Sequence, residues 1–144
     1  DPHSEAVGIL HDPGDLLRGV PRGLPRAERE LAATVASKIN GCIYCASVHA
    51  RKAAQLAKDE TAVETLLAVT PGEKLSDGQT PRWQALIDFA AAISVTPPAL
   101  AASHLAAVEQ QQLDTLAQLD LLQSAAFFAW ANRLMLTLGE PWQD

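Results

Sequence analysis

Sulfur, phenol and imidazole are concentrated in one short stretch of the chain, Ile39-Asn40-Gly41-Cys42-Ile43-Tyr44-Cys45-Ala46-Ser47-Val48-His49. Asn40-Gly41 is a helix stop signal, because both residues tolerate positive φ. A helix beginning close to Cys42 then puts Cys42 and Cys45 on one face, with His49 one turn beyond Cys45. Two thiols at i, i+3 can approach closely enough to bridge. The unpaired N–H groups of a helix start favour thiolate, and a nearby imidazole can accept the thiol proton. Such a thiolate attacks peroxides and disulfides.

An element must hold each of these groups. The preceding helix is expected to start at Pro25, with Glu28 and Glu30 suiting its positive end. Its apolar residues Leu31, Val35 and Ile39 recur at helical spacing. If the two helices fold back antiparallel about Asn40-Gly41, residues equally far from the turn sit side by side. Glu30 is then the carboxylate best placed to reach His49. The expected relay is Glu30–His49–Cys45, in which the acid fixes the imidazole tautomer and the imidazole takes the proton. Tyr44 points partly away from this face and is expected to stand behind it.

Each residue also has a plainer reading. Two cysteines in a helix can be small buried side chains, His49 a satisfied core histidine, and Glu30 a solvated partner of Arg26 one turn earlier. The set Cys42, Cys45 and His49 also offers three zinc ligands, but no further Cys remains and His104 is a distant fourth donor. No metal is therefore expected.

The rest of the 144 residues reads as helix. The second helix carries Cys42, Cys45, Ala46, His49, Ala53 and Leu56 on one face and runs to about Lys58. A short helix spans Glu60 to Ala68, followed by a polar loop over residues 70–80. Pro81 to Val95 is helical, with Trp83, Leu86, Ile87, Phe89 and Ala90 on its apolar side, and Thr96-Pro97-Pro98 breaks it. Another helix covers about Leu100 to Gln110. Asp114 is a plausible N-cap for a long last helix ending before Gly139. That helix is apolar nearly all round, so it lies at the domain centre or in a subunit contact. On it, Asn132 and Arg133 read as capping or intersubunit hydrogen-bond residues, with a pocket role the minority view. Trp83, Trp130 and Trp142 read as core or interface anchors. Residues 1–23 read as an irregular arm in which His3 and His11 face solvent. The fold class is all-α, in a single domain over residues 1–144.

Composition narrows the function. The formal charge is −6, which argues against binding to phosphate backbones or anionic membranes. Apolar residues form 48% of the chain, enough for a core without disulfide staples. No segment has the roughly 18 uninterrupted apolar residues of a membrane span. No signal peptide is apparent, so a reducing cytoplasm is the expected compartment.

The run INGCIYCASVHA resembles the core motif of the alkyl hydroperoxidase D family, within the carboxymuconolactone decarboxylase-like superfamily. The family pattern is a Glu, a Cys-x-x-Cys twelve positions later, and a His four after the second Cys. Glu30, Cys42, Cys45 and His49 match all four positions. Tyr44 stands where the family often has a relay His. Arg82 to Ala92, Thr96-Pro97-Pro98, Phe128 to Arg133 and Leu138-Gly139 look like the peroxidase-related branch.

The resemblance implies an all-helical homo-oligomer with thiol-dependent peroxidase activity and no haem, flavin or metal. By the same resemblance Cys45 attacks the hydroperoxide, Cys42 closes a disulfide, and an external dithiol or redox-protein partner resets the pair. The helix dipole alone favours Cys42 as nucleophile. A direct base outweighs a terminus dipole worth about 0.3–1 kcal/mol, which favours Cys45. The alternatives are a lyase like the decarboxylases of the superfamily, and a non-catalytic oligomeric binding module with inert thiols.

Overall fold

A computed structural model of the chain describes residues 23–70 and 72–139. The expected arm, apart from Gly23, lies outside the described residues, as do His3, His11 and Trp142. The described residues form six α-helices and no strand: α1 Arg26–Asn40, α2 Ile43–Ala57, α3 Glu60–Ala68, α4 Pro81–Ser94, α5 Ala102–Gln110 and α6 Thr115–Leu138.

Local chemistry sets the helix boundaries. Pro25 is the N-cap of α1 rather than its first residue. Gly41 closes α1 in the left-handed region at φ 75°, where a side chain is disfavoured. Asp59, Thr80 and Asp114 each accept a backbone N–H bond at the start of α3, α4 and α6, and Pro81 opens α4 where its missing N–H costs nothing. The helix after Pro97-Pro98 begins at Ala102, slightly later than expected, and α4 ends at Ser94.

The central element is α1, which packs against α2, α4 and α6. Its residues from Leu31 to Ser37 are all buried. Most are small, so three helices can close around it. Its hydroxyls stay inside because they bond their own backbone: Thr34 Oγ1 donates to Glu30 O at 2.8 Å, and Ser37 Oγ to Ala33 O at 2.7 Å. Leu24, Leu31, Val35, Leu86, Phe89 and Leu121 form the main core.

The expectation for α6 resolves asymmetrically. One face, including Leu121, Ala125, Ala129 and Asn132, is buried. The other exposes Leu119, Phe127, Trp130 and Leu134. The centre of the domain thus belongs to small-residue α1, and α6 keeps an uncovered apolar face. Leu56, expected on the inner face of α2, is exposed. Among the described residues no helix is long and apolar enough to cross a membrane.

Candidate functional site

The α1–α2 turn is tied down from both sides. Cys42 N donates to Ser37 O at 3.0 Å, and Gly41 N to Lys38 O at 3.2 Å. Beneath it, buried Asn132 of α6 donates to Ser37 Oγ at 3.0 Å, and Asn40 Nδ2 approaches Asn132 Oδ1 at 3.4 Å. Asn132 is therefore neither a cap nor an intersubunit group; it fastens α6 to the end of α1. Arg133 bonds Thr96 Oγ1 after α4.

Cys42 is the N-cap of α2, its sulfur accepting from Cys45 N at 3.4 Å. The two cysteines share a face and are joined as a disulfide across a Cα–Cα distance of 5.3 Å. Cys42 is fully buried and Cys45 is 5% exposed. One turn on, His49 Nδ1 lies 2.7 Å from Glu30 Oε2, with the two side chains 16% and 18% exposed. The register deduced from the hairpin holds. The carboxylate selects the tautomer with hydrogen on Nδ1, leaving Nε2 as the acceptor. Glu30 Oε1 also faces Arg26 Nε at 3.9 Å, so the plainer partner expected for Glu30 coexists with the relay contact. Tyr44 is half-buried, and its phenol has no hydrogen-bond partner among the described residues.

Two neighbours escaped the sequence reading. Met135 Sδ of α6 lies 3.4 Å from Cys45 Sγ. Phe128 packs edge-on to the His49 ring, with centroids 4.3 Å apart. They are seven residues apart on α6, so they share one face; the signal was there, but only the register of α6 on α2 reveals it. A groove of about 320 Å³ opens beside His49 and Glu30, lined also by Arg26, Arg51 and Lys52. A larger cavity of about 510 Å³ lies by Glu28, Arg82 and Trp83 and touches none of the sulfur or imidazole groups.

In that second cavity Glu28 takes hydrogen bonds from Arg82 Nε and Nη2, both at 2.8 Å. The hydrogen-bonded carboxylate raises the Arg82 guanidinium further above its ordinary value, against the opposing effect of burial. This pair is a clamp between α1 and α4. Trp83 is partly buried against the core, as expected, whereas Trp130 is 59% exposed. His104, the distant donor weighed for zinc, instead accepts Ala101 N at 2.9 Å through Nδ1 and caps α5. Among the described residues no cluster of three or more His, Cys, Asp or Glu could hold a metal ion.

The chain belongs to the carboxymuconolactone decarboxylase family, whose model matches residues 14–92, more than half its length, and within that superfamily it is alkyl hydroperoxidase D-like. Two solved structures are similar to it. A peroxidase-related protein from Silicibacter sp. TM1040 has a TM-score of 0.65 at 26% identity, covering 92% of this chain and 66% of that one. A variant of the debrominase Bmp8 bound to 2,3,4-tribromopyrrole has a TM-score of 0.67 at 18% identity, covering 84% of this chain and 62% of that one. The chain thus spans less than two thirds of the length of either protein. No curated protein matches it. The family includes enzymes, and the bromopyrrole complex shares the fold alone.

Proposed function

We propose that the chain is a thiol-dependent peroxidase that reduces hydroperoxides through Cys42 and Cys45. One observation carries the reading: a bridged cysteine pair at the start of α2 with a carboxylate-oriented imidazole on the same helix face. In the reduced protein His49 Nε2 takes the Cys45 proton. The thiolate attacks one peroxide oxygen and the O–O bond breaks. The other oxygen leaves as an alcohol, or as water from hydrogen peroxide, taking up a proton, and Cys45 becomes a sulfenic acid. The Cys42 thiol then displaces water from that sulfur, forming the disulfide. An external dithiol returns two electrons and two protons. Cys42 fits the resolving role because it is fully buried, whereas Cys45 retains some exposure. The peroxidase-related neighbour supports the same class of chemistry. The uncovered apolar face of α6 supports a homo-oligomer.

Counting free thiols before and after one equivalent of hydroperoxide tests the reading. The expected result is loss of two thiols per chain, recovered with a dithiol. Cys45→Ser abolishes turnover, while Cys42→Ser leaves a trappable sulfenic acid on Cys45. Undiminished peroxide consumption by Cys45→Ser rejects the mechanism. Activity on a lactone acid that survives thiol alkylation would point instead to the lyase.

A further inference from the structure

The groove beside His49 has a charge opposite to that of the whole chain. Arg26, Arg51 and Lys52 line it against a single carboxylate, Glu30, in a protein of formal charge −6. Glu30 is already engaged by His49 and Arg26. Arg51 and Lys52 have no ion-pair or hydrogen-bond partner among the described residues. A cleft lined by one sign of charge concentrates ligands of the other sign. Its volume of about 320 Å³ is at the lower end for small-molecule sites, and Val48 supplies apolar surface.

We infer that this groove takes the carboxylate of an organic hydroperoxide, with Arg51 and Lys52 as specificity-determining residues. The inference rests on the peroxidase reading. Neither cysteine lines the groove; Lys52 follows Cys45 by seven helical residues, which at about 1.5 Å per residue separates the two backbone positions by on the order of 10 Å along α2. The acid and the hydroperoxide must therefore be separated by several carbons. A hydroperoxide next to its own carboxylate cannot reach both positions, and a medium-chain fatty acid peroxidised well along its chain can.

The test compares such a fatty-acid hydroperoxide with its methyl ester, which has the same shape without the charge. Wild-type protein with a dithiol reductant is expected to show a kcat/KM for the acid about tenfold above the ester, the lower range of gains from a charged cleft. Added salt should erode that ratio, since screening acts on exposed charges. In Arg51→Gln/Lys52→Gln the ratio should fall toward one, chiefly through KM for the acid. Equal reaction of acid and ester in the wild type, or an unchanged ratio in the variant, overturns the inference while leaving the peroxidase intact. If no hydroperoxide closes the dithiol, the peroxidase reading fails and takes this inference with it.

Discussion

The Glu28–Arg82 clamp predicts an asymmetry between its two halves. The Glu28 side chain is 8% exposed and that of Arg82 39%. Arg82→Met keeps the aliphatic stem but removes both 2.8 Å bonds, leaving a carboxylate with little access to water. Removing one partner of a fully buried pair costs about 3–5 kcal/mol. Partial exposure of Arg82 lets some water in, which lowers the figure to about 2–3 kcal/mol. Glu28→Gln is milder. The guanidinium keeps solvent and its 3.1 Å bond to Gln111 O, and the amide still offers one acceptor, so about 1 kcal/mol is expected. The double variant replaces a stranded charge by a neutral amide. It should cost less than the two single losses together, by on the order of 1 kcal/mol. Urea unfolding of the oxidised protein at fixed concentration reads these differences as shifts in midpoint at constant slope. If Glu28→Gln costs as much as Arg82→Met, the stranded-charge argument is wrong.

Three further outcomes follow from the geometry. Glu30→Gln should slow sulfenate formation at Cys45 by about 100-fold, the low end of what a positioned base contributes, while changing stability by under about 1 kcal/mol; a stopped-flow rate within twofold of wild type would remove Glu30 from the relay. At Gly23 an added Cβ would run into the Asp120 carboxylate, which accepts Leu24 N at 2.8 Å. Gly23→Ala should therefore lower stability by about 1–3 kcal/mol, and a melting temperature equal to wild type would refute the close approach. Trp130→Lys should reduce the mass measured by sedimentation if the bare face of α6 joins copies of the chain, and an unchanged mass would exclude Trp130 from that contact.

Legibility in the sequence followed the range of the interaction. The boundaries of α3 and α6 come from nearby residues, such as Asp114 before the first turn and Gly139 after the last. The disulfide partners lie three residues apart, within the reach of helix geometry. The Glu30–His49 contact is nineteen residues long in sequence, yet a single turn at Asn40-Gly41 makes it local in effect. The clamp from Glu28 to Arg82, the bond from Leu24 to Asp120 and the contact from Cys45 to Met135 span 54, 96 and 90 residues. No periodicity reports pairs of that kind. Burial was only partly legible: the apolar pattern of α6 left the domain centre and a subunit contact both open, and one of its faces is buried while the other is exposed.

The two acids at the start of α1 show why position within a helix outranks residue type. By residue type alone Glu28 and Glu30 are alike, since both complement the positive end of the helix; only the hairpin register separates them. Two residues of α-helix rotate the side chain by roughly 200°. Because α1 is enclosed, that rotation sends the two carboxylates to different neighbours: Glu28 to the guanidinium of α4 and Glu30 to the imidazole of α2. The first pair holds α1 against α4, and the second orients the group beside the sulfurs. Exchanging the two roles requires more than exchanging residues, because His49 lies within reach of only one of the two positions. An aspartate at position 30 would fall short of Nδ1 by about one C–C bond, enough to lose a 2.7 Å contact. The Glu30–His49 contact therefore depends on the length of the acid, on the phase of α1 and on the turn at Gly41 together.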